Sequence, residues 1–119
     1  MYYTRGQSRN KYGAIRQTYN GYNYASKRES TKAWELDQLV KAGEIKKWER
    51  QVKVELYGIN GSHICDYKVD FLVTHNDGLQ EFIEVKSPIT ATLGEWRIKW
   101  KLLEDKYGKD HRYKLTVEF

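Results

Sequence analysis

Val69-Asp70-Phe71-Leu72-Val73-Thr74-His75-Asn76-Asp77-Gly78-Leu79-Gln80-Glu81-Phe82-Ile83-Glu84-Val85-Lys86 has the pattern of a β-hairpin, and the rest of the fold follows from it. Two runs rich in β-branched and aromatic residues flank Asn76-Asp77-Gly78, a three-residue turn whose glycine is free to take positive φ. Side chains alternate along a strand. Cys65, Tyr67, Val69, Phe71 and Val73 therefore share one face, and Asp66, Lys68 and Asp70 share the other. With Gly78 in the left-handed position of a three-residue loop, His75 pairs with Leu79, and counting back sets Asp70 opposite Glu84. Directly opposed residues have Cβ atoms about 4.5–5.5 Å apart, so two carboxylates meet on one sheet face, with Lys86 two residues from Glu84 on the same face.

Charges inside apolar β runs need a reason. Two carboxylates this close repel unless one is protonated or a cation lies between them. A divalent metal resolves the conflict. Oxygen-only ligands favour Mg²⁺ or Mn²⁺ over zinc, and Mg²⁺ usually keeps waters and takes phosphate oxygens as its remaining ligands. That equipment suits phosphodiester hydrolysis, with Lys86 placed to orient or deprotonate the attacking water and to offset charge on the phosphate. The competing reading of Asp70, Glu84 and Lys86 is a cross-strand ion-pair cluster on a solvated sheet face, which Asp66 and Lys68 would extend.

Working outward, Gln51 to Tyr57 alternates as an earlier strand and Ile64 to Thr74 forms the first arm of the hairpin. Leu79 to Lys86 forms the second arm, stopped by Ser87-Pro88. Upstream, Ser26 and Glu29 match a capping box and open a helix over Lys27 to Ala42, which Gly43 ends in the left-handed conformation. At 100° per residue Ala33, Leu36 and Val40 fall within about 40° of Glu29, which puts Glu29 at the end of the stripe expected to face the sheet. Its other reading is as the closing member of the capping box. Asn20-Gly21 between Thr18-Tyr19 and Tyr22-Asn23-Tyr24 predicts a small hairpin. Leu93, Trp96, Trp100, Leu103 and Tyr107 form the stripe of a second helix ended by Gly108, with Arg97, Lys99 and Lys101 opposite; Tyr113 to Phe119 is a last strand. The order is hairpin, helix, three strands, helix, strand, with Trp34, Trp48, Trp96 and Trp100 supplying much of the core.

The chain has 119 residues, enough for one domain, and 21 Lys plus Arg against 16 Asp plus Glu. Arg5, Arg9, Lys11, Arg16, Lys27 and Arg28 precede the first acid, so the excess sits in an N-terminal segment that also holds six of the ten tyrosines. Residues 1–13 read as a basic, Tyr-rich arm and 14–119 as the domain. Cations interleaved with aromatics suit a nucleic acid, DNA or RNA; the alternative is a solubilising tail. Arg97, Lys99 and Lys101 are either further phosphate contacts or an ordinary wet helix face. No run approaches the roughly 20 apolar residues of a membrane span, and no leader pattern opens the chain, which predicts a cytoplasmic protein. Cys65 is alone and His63, His75 and His111 lack zinc-ligand spacing. His63 and His75 stand beside turns and read as surface residues.

In this order, the helix glutamate in Ser26-Lys27-Arg28-Glu29, the aspartate in Val69-Asp70-Phe71 and Ile83-Glu84-Val85-Lys86 resemble the PD-(D/E)XK nuclease superfamily. The likeness is greatest to small phage-borne members and to the TnsA-type transposase endonuclease subunit, which share a glutamine before a strand, here Gln51. It covers residues 14 to 119. The resemblance implies an α/β (α+β) fold with a restriction-endonuclease-like core, a mixed central sheet flanked by two helices, and a Mg²⁺-dependent (or Mn²⁺-dependent) endonuclease acting on DNA, with branched or junction DNA in phage DNA processing as one substrate, and the host cytoplasm as its place. It further implies that Asp70 and Glu84 hold the metal and Val85 lends a backbone carbonyl. Lys86 then assists the nucleophile, Glu29 completes the metal shell and Gln51 supports the site. Val69 stands where the superfamily's name has proline. A homodimer would be needed to cut both strands at once. The alternatives are a non-catalytic nucleic-acid-binding module or a phage packaging adaptor on the same fold.

Overall fold

The computed structural model describes residues 17–87 and 93–119, so Arg5, Arg9, Lys11, Arg16, the arm over 1–13 and Pro88 lie outside the described residues. The chain groups into two compact units that divide after Gly43.

In the N-terminal unit, β1 (Gln17–Tyr19) and β2 (Tyr22–Tyr24) pair antiparallel around Asn20-Gly21. Both turn residues have positive φ, 53° and 84°, the type I′ geometry that asparagine followed by glycine tolerates best. α1 (Lys27–Lys41) follows. Ser26 caps it by accepting from the Glu29 N–H at 3.1 Å, and Gly43 turns the chain away at φ 75°. The Tyr19 hydroxyl donates to Asp37 Oδ2 at 2.5 Å and ties the hairpin to the helix. That bond, ahead of burial, pushes the Tyr19 phenol up to about 12. Ala33 and Leu36 are fully buried, but Trp34, one 100° step round the helix, is 51% exposed.

The second unit is a four-stranded mixed sheet of order β3-β4-β5-β6: β3 (Ile45–Tyr57), β4 (His63–His75), β5 (Gln80–Val85) and β6 (Tyr113–Glu118). β3, β4 and β5 form an antiparallel meander, and α2 (Gly94–Tyr107) carries the chain across to β6, which lies parallel to β5. β3 starts at Ile45 rather than Gln51, because a register shift between Ile45 and Lys47 interrupts the alternation while pairing with β4 continues. The turn at Asn76-Asp77-Gly78 forms as expected: His75 N–H donates to the Leu79 carbonyl at 2.8 Å and Gly78 has φ 92°.

Val54, Leu56, Tyr67, Val69, Phe82 and Leu103 form one core cluster, joined by Leu72 and by half-buried Trp96, Trp100 and Tyr107 from α2. Val69 and Leu72 are three residues apart yet reach the same cluster, whereas strict alternation would send them to opposite faces. β4 therefore exchanges the face it turns to α2 at Asp70-Phe71. Phe71 is fully buried with Trp48 edge-on at 5.6 Å. None of the four tryptophans is fully buried; the largest fully buried side chains include Tyr24, Phe71, Leu36, Leu56 and Leu103. Gly108 ends α2 with right-handed φ −64° rather than in the left-handed form. A Cβ there would lie 2.5 Å from the Glu104 carbonyl oxygen, so close approach and not positive φ calls for glycine.

On β5 the sheet also buries Glu81, 9% exposed, which accepts from the Thr116 hydroxyl at 2.5 Å and meets His75 Nε2 at 2.8 Å, with Lys114 Nζ 4.0 Å away. Burial pushes its carboxyl up; the Thr116 and His75 hydrogen bonds and Lys114 outweigh it and hold the group below its ordinary value. A depressed carboxyl adds stability that is present above its unfolded pKa and lost as pH falls through the folded one. The urea midpoint should therefore drop as pH falls below about 4.3, and Glu81→Gln should flatten that drop. A variant with the wild-type acid slope would contradict this. No helix among the described residues is long and apolar enough to cross a membrane.

Candidate active site

The β4–β5 ladder runs from Thr74↔Gln80 to Phe71↔Ile83, and one step further Asp70 stands opposite Glu84. There the strands part: β4 continues paired with β3, and β5 with β6 as far as Val85↔Glu118. The Lys86 N–H donates to the Glu118 carbonyl at 2.8 Å, so the N–H and C=O of Val85 point the other way, toward β4. The carboxylates stitch the opening. Asp70 Oδ2 accepts from the Val85 N–H at 2.9 Å, and Glu84 Oε1 accepts from the Asp70 N–H at 3.1 Å. Lys86 Nζ lies 3.6 Å from Glu84 Oε2. Glu84 is only 3% exposed, so the cluster does not sit on a solvated face.

Gln51 completes the group from β3. It falls between the pairs Arg50↔Phe71 and Val52↔Val69, which places it across from Asp70, and its Nε2 donates to Asp70 Oδ1 at 3.4 Å. Its φ is 50°, the left-handed region that a non-glycine residue in a strand rarely occupies. Strain of this kind collects where a side chain must be aimed. Gln51→Gly should accordingly be about 0.5–1 kcal/mol more stable toward urea while losing the amide that faces Asp70. A less stable variant would contradict it.

Two further residues belong to the site. The Tyr67 hydroxyl accepts from Trp96 Nε1 at 2.8 Å, and the Trp96 ring lies under Lys86 Nζ at 5.2 Å. The signal in the sequence was that a buried tyrosine or tryptophan needs a partner for its polar end. Cys65, packed at the edge of the core, and His63, exposed and 2.8 Å from Asp66, take no part.

Asp70, Glu84, Val85, Lys86 and Gln51 thus come together. Glu29 belongs to the N-terminal unit, 6% exposed in the first turn of α1, where Lys27 and Arg28 are exposed. On α2, Arg97 and Lys101 share an exposed face; Lys99, 200° round from Arg97, is half-buried and 3.4 Å from Glu95. Among the described residues no three His, Cys, Asp or Glu side chains gather as a metal-binding group. The donor set still fits Mg²⁺, which is commonly held by one or two carboxylates with water and phosphate oxygens completing its shell.

Fold and site define a mixed α+β chain whose central sheet opens at a carboxylate pair attended by a lysine and a glutamine. A family model, DUF1064, described as a protein of unknown function, matches residues 9–117, and the chain belongs to that family. No curated protein and no solved structure matches it.

Proposed function

We propose that this chain is a metal-dependent nuclease that hydrolyses DNA phosphodiester bonds at Asp70, Glu84 and Lys86, on a restriction-endonuclease-like core of the PD-(D/E)XK type. The observation that carries this reading is the meeting of Asp70 and Glu84 where β4 and β5 part, with Lys86 beside Glu84. The order of helix, three antiparallel strands, helix and parallel strand fits the core that the resemblance implies. Asp70, Glu84 and the Val85 carbonyl would hold the ion. A bound Mg²⁺ supplies Lewis-acid activation of water and neutralises charge on the phosphate. Lys86 holds the attacking water and balances negative charge as the phosphorus becomes five-coordinate. Gln51 fixes the Asp70 carboxylate. Arg97, Lys101, Lys27, Arg28 and the cationic segment before them offer contacts for the DNA backbone.

One observation favours a second reading, a non-catalytic nucleic-acid module: both carboxylates already accept backbone N–H groups and so help to hold the sheet together. Incubation with linear, nicked, branched and single-stranded DNA in Mg²⁺ or Mn²⁺ separates the two. Cleavage that needs the metal and is lost in Lys86→Ala supports the nuclease. Binding that survives EDTA, with no cut product from any substrate, supports the module.

A further inference from the structure

The end of the chain has matching chemistry read in either direction from Thr116. Outward from it come Leu115 and Val117, both aliphatic, then Lys114 and Glu118, opposite in charge, then Tyr113 and Phe119, both aromatic. β6, which carries this run, also ends the sheet. It pairs with β5 in an unbroken register, and among the described residues no strand pairs with its other edge. Sheet edges are usually blunted by proline, a bulge or several charges; β6 has neither proline nor bulge, and Lys114 is its one basic residue.

The backbone fixes what can join that edge. Arg112 and Glu118 turn their carbonyls to β5, accepting from the Gln80 and Lys86 N–H groups at 2.9 and 2.8 Å. Successive residues of a strand point these groups to opposite sides, so Lys114 and Thr116 also face β5, while Leu115 and Val117 present theirs outward. An antiparallel partner must set outward-facing residues against one another. A second copy related by a two-fold axis at Thr116 does so: Leu115 of each copy exchanges both backbone bonds with Val117 of the other. The same register sets Lys114 opposite Glu118 and Tyr113 opposite Phe119, and opposite-charge and aromatic pairs stabilise antiparallel neighbours. Moving the centre one residue either way takes Glu118 from Lys114. The Lys114 side chain is 61% exposed and Phe119 60%, and Leu115 and Val117 are only half-buried, whereas Phe82 and Ile83 on β5 are buried.

We propose that the outer edge of β6 is a homodimer interface, through which a second copy of this chain continues the sheet antiparallel about Thr116. The two-fold axis stands perpendicular to the sheet, so the carboxylate pairs of both copies lie on one face of it. Glu84 pairs with Val117, which puts the two Glu84 residues three strand spacings apart and two residues offset, roughly 16 Å. A duplex then meets one site for each strand; that consequence rests on the nuclease reading, and the pairing itself does not.

Light scattering of the full chain over a concentration series reaching millimolar should show the mass doubling from the 14.2 kDa of one copy. Glu118→Lys sets a lysine against Lys114, and Lys114→Glu sets a glutamate against Glu118, so each variant alone should stay monomeric with the circular dichroism of the wild type. Mixed in equal amounts the two restore both opposite-charge pairs, and the mass should double again. In hydrogen exchange the wild-type Leu115 and Val117 amides should gain protection with concentration while the Thr116 amide, facing β5, stays constant. That alternation decides alone if Lys114→Glu, at a position 4.0 Å from Glu81, does not fold. A wild type that remains at 14.2 kDa throughout, charge variants that dimerise as it does, or a mixture of monomeric variants that stays monomeric would overturn the interface. A dimer that cuts no DNA would overturn the nuclease reading and leave the interface standing.

Discussion

Asp70→Asn is expected to fold as the wild type does and to cut DNA roughly a thousand-fold more slowly or worse. The asparagine oxygen can still accept from the Val85 N–H that Asp70 Oδ2 takes at 2.9 Å, and the Gln51 amide, 3.4 Å from the other oxygen, can turn to present its own oxygen to the new NH₂ group. The seam between β4 and β5 therefore stays closed. What disappears is one of the two negative charges that would hold the ion. Losing about 4 kcal/mol of transition-state stabilisation corresponds to a thousand-fold in rate. Circular dichroism and the urea midpoint should match the wild type while kcat in saturating Mg²⁺ collapses. A variant that keeps its rate within a few-fold would remove Asp70 from the chemistry and leave it as a strand fastener.

The largest effect on stability is expected one residue later. Phe71 is fully buried, meets Trp48 edge-on at 5.6 Å, and pairs with Ile83 at the last step before the sheet opens. Phe71→Ala removes the ring and leaves a cavity, at a cost of about 3–5 kcal/mol. Domains of this size are commonly stable by only about 5–15 kcal/mol, so a substantial part of the population should unfold on mild warming. Ile98→Ala, at a side chain 62% exposed on α2, should stay within about 0.5 kcal/mol of the wild type. Urea denaturation of both variants checks the contrast; equal, small losses would show that Phe71 is not packed as described.

The hairpin over residues 63–85 was legible because its information is local. Asn76-Asp77-Gly78 dictates a loop length, the loop length dictates register, and register brings Asp70 to Glu84. Both helices were legible for the same kind of reason, through caps and apolar spacing, and the last strand through its alternation. What alternation could not reveal is where it breaks. No residue in either strand marks the positive φ of Gln51, 50°, or the exchange of faces at Asp70-Phe71. Trp34 looked like core because tryptophan is apolar; its angular position one step off the Ala33 and Leu36 face decides otherwise. Tyr67 and Trp96 read as core spacing, and their polar ends acquire meaning only once the fold brings Trp96 Nε1 to the Tyr67 hydroxyl and the Trp96 ring under Lys86. Glu81 was hidden by Glu84, since two acids three apart on one strand must point to opposite faces.

The most direct test of metal-dependent chemistry at the parting of β4 and β5 is a crystal structure of the chain soaked in Mn²⁺, with the ion located by its anomalous scattering. One peak within about 2.0–2.6 Å of carboxylate oxygens of both Asp70 and Glu84 is the predicted result. A map with no peak between them at millimolar Mn²⁺, with the Asp70 to Val85 and Glu84 to Asp70 hydrogen bonds unchanged, would contradict it.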